Sequence, residues 1–541
     1  VKKSTLAVSL LLAILLAAAP ASTVLNAAGS KLHHWKLYQN GEAHLKQGKI
    51  KLAISELEQA VSQSEQAGYL RKLAEAYEQD RQYQKAADTY YREAKIHQKL
   101  GQQNGDLNTY YAVLAKADAL NTDIGVYVET NGRAASASGA KLAKFEPESG
   151  MYIGAYIDKD SKMKMLGGDM FNAFNKLTGK QHAIYFTYHR YGSPFPEHWA
   201  ETVKRSGGAV QLAFQPDHGL DSVKDDAYLR QFARAAKAAG VPVFLRFASE
   251  MNGGWVKWNG NPKQYIEKFR LVAKVMREEA DNVAMVWSPA ANPKQNIKDY
   301  YPGDEWVDWV GMSMYSVKYF NGKVTEPADQ VNPLDTLDYI YRAYSARKPI
   351  MISEYAATHY SKAISASAVY FAQTKMNMLY HGVKLKYPRL KAIHWFSLNT
   401  LTDSHSADRS LNNFSLTEND KVLSAYSKMI QDPYYLSSVK DTRQNNSGSA
   451  KGYTKTISKL SSATKIGTAA TGMVWVKTYD PYISKVVVKL NGNTVLTKQQ
   501  YPYTFALDPA KLPSGTQKLE IIVFDSKGKE AAGRNFTFQK G

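Results

Sequence analysis
The sequence predicts a multidomain protein: an α-helical repeat region, then a (β/α)8 TIM barrel, then a small all-β sandwich. Three observations carry this. Apolar residues recur at helical spacing over 32–120, eight short apolar runs alternate with helical or loop stretches over 150–435, and short alternating runs follow over 466–541. A length of 541 residues exceeds what one ordinary core organises.

Residues 1–21 read as an export signal. Lys2 and Lys3 give a positive start, Leu6 to Ala19 is an apolar run too short to span a membrane, and Ala19-Pro20-Ala21 offers small residues to a signal peptidase. The expectation is a secreted, extracellular protein; an uncleaved anchor is the alternative. The absence of cysteine excludes disulfides, zinc–thiolate sites and thiol catalysis. The formal charge of +20 is spread along the chain. It fits a solvated basic surface, with association to an anionic cell wall as a second reading. No nucleic-acid motif is present, so no nucleic-acid partner is expected.

Over 32–120 there is no proline, and Leu52, Ile54, Leu57 and Val61, then Leu70, Leu73 and Tyr77, keep helical spacing. Gly48–Leu57 is echoed 33 residues later by Arg81–Tyr90, with Ala53 and Ala86 in register. This resembles tetratricopeptide repeats, whose helix pairs put a small residue where two helices touch. The resemblance implies a protein partner; a helical spacer is the alternative. Residues 121–149 turn small and polar and read as a linker.

Eight apolar runs then read as barrel strands: Met151–Tyr156, Ala183–Thr187, Ala209–Phe214, Val241–Phe247, Val283–Ser288, Val307–Ser313, Pro349–Ser353 and Ala392–Phe396. In such a barrel the site lies at the carboxyl ends of the strands, where Glu250 follows the fourth run and Glu354 the seventh. Two carboxylates at strand ends, ringed by Trp and Tyr, are the equipment for cutting a glycosidic bond. Alternation along an extended strand puts Arg246, Ala248 and Glu250 on one face, so Arg246 can aim at carboxylates in the barrel mouth.

A second linker spans 436–465, with Asn445-Asn-Ser-Gly-Ser-Ala at its centre. The alternating runs Met473–Tyr479, Lys485–Leu490, Tyr503–Leu507 and Leu519–Phe524, separated by turn signals, then describe a β-sandwich. It resembles bacterial immunoglobulin-like modules. An inert spacer and a role in carbohydrate binding or wall attachment both remain open.

Arg246-Phe-Ala-Ser249-Glu250-Met-Asn252-Gly-Gly-Trp255 with Trp258, followed by Ile352-Ser-Glu354, is similar to the motifs of glycoside hydrolase family 26, a clan-A family with a TIM barrel. Its members are mostly endo-β-1,4-mannanases, with some β-glucanases and xylanases. The resemblance covers about 150–435. It implies Glu250 as general acid/base, Glu354 as nucleophile, Tyr315 as a hydrogen-bond donor to that nucleophile, Trp395 as the floor of the subsite where the sugar is attacked, and Trp255 as the aromatic just beyond the acid. Arg246, Ser249, Asn252 and Trp258 complete the expected substrate-binding set. The family usually has His immediately before the acid/base; here Ser249 stands there, so assignment to mannan does not follow.

The expectation is an exported retaining hydrolase, endo-acting on a β-linked polysaccharide (β-mannan, β-glucan, xylan or an exopolysaccharide) by double displacement. The alternative is a non-catalytic or weakly catalytic glycan-binding scaffold for exopolysaccharide or wall assembly. No cofactor is implied, and no metal-ligand spacing appears. His189, His218, His359 and Asn292 follow strands and read as loop residues, while His394, inside the eighth strand, reads as structural.

Overall fold
The computed structural model describes residues 21–132, 142–404, 406–439 and 453–541, with side chains from residue 33 onward. The expected export signal lies, apart from Ala21, outside the described residues, as does the centre of the second linker. Among the described residues no helix is long and apolar enough to cross a membrane. Two compact units divide the chain, 1–121 and 122–541.

Among the described residues the first unit is five helices: α1 (Ala21–Lys46), α2 (Ile50–Gln63), α3 (Ala67–Gln79), α4 (Tyr83–Asn104) and α5 (Asn108–Leu120). Each middle helix buries one apolar face, as Ala53, Ile54, Leu57, Ala60 and Val61 do on α2. Ala53 and Ala86, the echoed pair, are both fully buried near the starts of α2 and α4. Close packing shows at Gly41 on α1, where a Cβ would come 2.6 Å from Leu57 Cγ on α2. Polar ties bind α3 to α4: Arg71 Nε donates to Glu93 at 2.9 Å, and the Tyr90 hydroxyl to Glu78 at 2.6 Å.

The second unit opens with strand β1 (Asp123–Asn131). Eight parallel strands then close a barrel: β2 (Met151–Tyr156), β3 (Ile184–Arg190), β4 (Ala209–Gln215), β5 (Val243–Phe247), β6 (Val283–Trp287), β7 (Trp309–Ser316), β8 (Ile350–Ala357) and β9 (Leu390–Phe396). Neighbours pair in sequence order, and Ala392 of β9 opposite Tyr152 of β2 shuts the ring. Outside lie α6 (Met170–Thr178), α7 (Glu197–Arg205), α8 (Ala227–Ala238), α9 (Pro262–Glu279), α10 (Pro333–Tyr344), α11 (Val369–Lys386) and α12 (Asp420–Ile430). Between β6 and β7 the crossover carries only a 3-10 turn, Ile297–Tyr300. All eight expected runs are strands.

Alternation sorts each barrel strand into outer and inner residues. Inner residues Tyr152, Ile184, Phe244, Val286, Trp309 and Met351 pack as an apolar plug. Above it lies a polar layer. Gln211 Nε2 donates to the Ser353 carbonyl at 3.2 Å, Ser288 Oγ to Ser353 Oγ at 3.0 Å, and His394 Nδ1 lies 3.0 Å from the Ile352 carbonyl. Glycines make room for it: a Cβ on Gly154 would sit 2.2 Å from His394 Cδ2, and one on Gly311 2.3 Å from Ser353 Oγ. His394 is therefore structural, as the sequence suggested.

The sandwich is where the structure corrects the sequence reading. Its first sheet runs β10 (Lys455–Lys459), β1, β11 (Ala470–Lys477), β14 (Tyr503–Leu507). Its second runs β16 (Glu530–Lys540), β15 (Thr516–Phe524), β12 (Lys485–Leu490), β13 (Asn493–Lys498), with Lys465–Ile466 beside β16. Residues 123–131 and 455–459, expected in the linkers 121–149 and 436–465, are thus sheet strands. Val126 pairs opposite Val474 and Val128 opposite Ser458. The cause is plain alternation: Ile124, Val126 and Val128 enter the sandwich core with Val474, Val486, Ile521 and Phe538. The other face of β1 meets the barrel. Tyr127 joins the barrel's core cluster, and Glu129 takes Lys384 of α11 at 3.0 Å.

Candidate active site
Strand β5 ends at Phe247, and the chain then turns sharply. Ala248 and Glu250 adopt left-handed backbone, φ 46° and 60°, a conformation that costs a non-glycine residue about 1–2 kcal/mol. The amide of Glu250 donates to the Ser288 carbonyl at 2.8 Å, which pins the turn to the end of β6. Glu250 is therefore not on an extended strand with Arg246, and the alternation expected for 246, 248 and 250 stops at Phe247. The turn nonetheless puts the Glu250 carboxyl in the barrel mouth. Its Oε2 accepts from Trp255 Nε1 at 2.8 Å. The indole reaches there by lying flat over Gly253, where a Cβ would come 2.3 Å from the ring.

Glu354 arrives by a different device. Met312 of β7 pairs with Ile352, but Ser313 pairs with Glu354, so one residue is skipped. This bulge lets Ser353 and Glu354, neighbours in sequence, both turn inward. Glu354 is 3% exposed. Its Oε1 accepts from Arg246 Nη2 and, at 2.7 Å, from the Tyr188 hydroxyl; its Oε2 accepts from the Tyr315 hydroxyl. Three donors from β3, β5 and β7 thus converge on one carboxylate.

The two glutamates differ in surroundings. Burial raises the Glu250 carboxyl above the ordinary glutamate range, and the Glu354 charge raises it further, against smaller opposing effects of the Trp255 hydrogen bond and Arg246. Burial works against the Arg246 charge, but the Glu354 carboxylate outweighs it and lifts that guanidinium above its usual value. Burial, then the Glu354 charge, pushes both Tyr188 and Tyr315 well up, so both hydroxyls remain donors. Tyr188 is 37% exposed as a residue, with its hydroxyl on the Glu354 carboxylate.

Other expected site residues fall elsewhere. Trp395 is 0% exposed. Its Nε1 donates to the Phe414 carbonyl at 3.0 Å, and its ring lies between Tyr355 and Tyr426 of α12. It faces the helices and cannot floor a sugar subsite. Alternation explains why: its neighbours His394 and Phe396 point inward. Phe396 stacks on Tyr156 at 4.9 Å and 12°, with Tyr315 edge-on at 5.7 Å. Phe396 and Tyr156 thus pack on the inner side of the strand ends, beside Tyr315 and Tyr188. Trp258 is buried with Nε1 on the Ser249 carbonyl at 2.8 Å. Asn252 clamps backbone, donating to the Ala290 and Pro293 carbonyls at 3.0 and 2.9 Å and accepting from the Ala290 amide. Both are scaffolding of the turn. Ser249 is buried and turns its hydroxyl to Arg246 Nη2 at 3.2 Å.

Tyr188, Phe396 and Tyr156 were missed by the sequence reading. All three are legible as inward positions at carboxyl ends of strands. His189, read from the sequence as a loop residue, packs outward against Phe214 and Phe232, and His359 is buried on the Ser415 carbonyl at 2.8 Å.

A closed parallel barrel with two dissimilar carboxyls at its strand ends, ringed by tyrosine and tryptophan, is the architecture of a barrel glycosidase. Residues 180–361 match the family model described as glycosyl hydrolase family 26. Over 277 residues the chain is 26% identical to Endoglucanase H of Acetivibrio thermocellus, covering 47% of this chain and 29% of that protein. Over 128 residues it is 34% identical to Beta-1,3-xylanase TXYA of Vibrio sp, covering 23% and 25%. Over 117 residues it is 31% identical to a mannan endo-1,4-beta-mannosidase of Bifidobacterium adolescentis, covering 20% and 11%. The chain thus spans less than a third of the length of each of these relatives. Among solved structures, a Cellulomonas fimi endo-beta-1,4-mannanase double mutant aligns with 74% of this chain and 100% of its own at 15% identity and a TM-score of 0.40.

Proposed function
We propose that the barrel is a retaining glycoside hydrolase that cuts within a β-linked polysaccharide, a mannan, glucan or xylan backbone. The observation that carries this is the unequal treatment of two carboxyls in one mouth. Glu354 presents both oxygens fixed by Arg246, Tyr188 and Tyr315, while Glu250 is held by one indole and pushed toward its protonated form. That is the division of labour a double displacement requires.

In the first step a Glu354 oxygen attacks the anomeric carbon. The glycosidic C–O bond breaks, and the leaving oxygen takes the proton from Glu250. The glycosyl–Glu354 ester is then attacked by water, whose proton passes to the Glu250 carboxylate. The sugar leaves with its original anomeric configuration, and both side chains regain their starting states. Phe396 and Tyr156 supply the apolar face for the sugar at the point of attack, and Trp255, 50% exposed, the face beyond it. The named relatives act on glucan, xylan and mannan, which supports the class of polymer without choosing among them. The basic, apolar, then small-residue pattern of 2–21 supports export, where such polymers lie.

The test is reducing-end release from a panel of β-mannan, β-glucan, β-1,3- and β-1,4-xylan and bacterial exopolysaccharide, with the anomer of the first product read by NMR. Turnover with retained configuration, abolished by Glu354→Ala, is expected. Inverted product would overturn the mechanism. Binding without turnover, unaltered by Glu354→Ala, would overturn the hydrolase reading in favour of a glycan-binding scaffold.

A further inference from the structure
A groove of about 580 Å³ separates the outer face of α11 and α12 from the sandwich. It lies outside the barrel and shares no lining residue with the cleft around Glu250 and Glu354. Its volume is within the ~300–1,000 Å³ of small-ligand sites. One wall is aromatic: Tyr370, 59% exposed at the start of α11, stacks on Tyr482 of the sandwich at 5.1 Å and 21°. Deeper in, His381 stacks on Tyr501 at 5.3 Å and 13°. The amides of Asn377, Gln499 and Gln500 also line it, and among the described residues they make no side-chain hydrogen bond.

Flat aromatic faces interleaved with amides match a run of sugar rings. Ring C–H faces pack on tyrosine, and an amide, both donor and acceptor, meets neighbouring hydroxyls. Charge favours a neutral chain. Lys428 and Asp432 on the lining have opposite signs, and Asp432 also pairs with Lys384 at 2.7 Å. His381 is lowered to about 4, by burial first, and so is uncharged near neutrality.

We propose that this groove is a second saccharide-binding site, which holds a short stretch of a neutral β-linked polysaccharide while the barrel cuts another stretch of the same polymer. The choice of ligand rests on the hydrolase reading; the site itself rests on the groove. Its walls come from both the barrel helices and the sandwich, so the site exists only while the two are packed together.

The experiment is calorimetry on the full chain carrying Glu354→Gln, titrated with hexasaccharides of mannan, β-glucan and xylan. Two sites per chain are expected for the hexasaccharide that binds. Adding Tyr370→Ala should reduce this to one. Adding Gln500→Ala, at an exposed loop position, should weaken the second site about fivefold, the loss of one hydrogen bond of ~1 kcal/mol. One site in every variant overturns the groove and leaves the barrel reading standing. Two sites persisting in both added variants also overturn the groove. One site that disappears with Tyr370→Ala supports the groove and counts against the barrel as a hydrolase. No binding of any hexasaccharide overturns both.

Discussion

The Tyr188 hydroxyl donates to Glu354 Oε1 at 2.7 Å, on the same oxygen that Arg246 grips. A strand on one side of the barrel mouth thus orients the proposed nucleophile carried by another. Tyr188→Phe removes a single hydrogen bond to a charged group, worth ~1.5 kcal/mol. Turnover should fall on the order of tenfold, while the thermal midpoint moves little, because the residue is 37% exposed and keeps its ring contacts. Steady-state kinetics beside a thermal melt checks this; a large loss of stability with kcat intact would show the tyrosine to be scaffolding only.

Arg246 supplies the countercharge for a carboxylate that is almost wholly enclosed. Arg246→Met should destabilise the fold by about 3–5 kcal/mol, the usual cost of a buried charge left without its partner. Adding Glu354→Gln to Arg246→Met should recover much of that loss, since the stranded charge is then gone. Urea unfolding of the two single variants and the double variant measures the coupling. Simple additivity would contradict the arrangement.

Glu250 is raised by burial and then by the Glu354 charge, and Trp255 opposes the rise by donating to the charged form. In its proposed role as general acid Glu250 must be protonated, so its loss of a proton sets the alkaline limb of kcat/KM. Removing a donor to the charged form raises the pKa further. Trp255→Phe, which keeps an aromatic face, should therefore move the alkaline limb to higher pH. A limb that stays in place or moves to lower pH would refute the role assigned to the indole.

His182 and His394 are each lowered to about 3, chiefly by burial. In the unfolded chain a histidine takes up its proton below about 6.5. Between that value and the folded one the unfolded state binds more protons, so stability is complete above neutrality and declines as pH falls. Each group contributes a slope of up to ~1.4 kcal/mol per pH unit in that window. Chemical denaturation at pH 7, 6 and 5 should show the decline, and His182→Gln should make it shallower. A flat profile over that range would rule out neutral burial of these rings.

The barrel was legible because each strand is a short apolar run between turn signals, and the glutamate pair because both sit where such strands end. Composition alone could not place Trp395. Its type suggests a sugar platform, yet its position between two inward residues sends it to the helices, and only the strand's alternation separates it from Phe396. Glu354 shows the reverse case. Strict alternation from Ser353 would turn it outward, and the bulge against β7, a property of the pairing rather than of the local sequence, brings it back. The strand 123–131 was hidden for a related reason: Ile124, Val126 and Val128 alternate as a strand should, but their partners at 455–477 lie more than 300 residues further on.

That last pairing has a practical outcome. With β1 an interior strand of its sheet, severing the backbone between Asn131 and Met151 would leave two pieces still bound to each other. A recombinant fragment begun at residue 150 to isolate the catalytic part would lack the strand that pairs with Val474 and Val476, and should precipitate or lose its C-terminal sandwich. A fragment that keeps β1 with the barrel and the sandwich starts near Thr122, where the second compact unit begins.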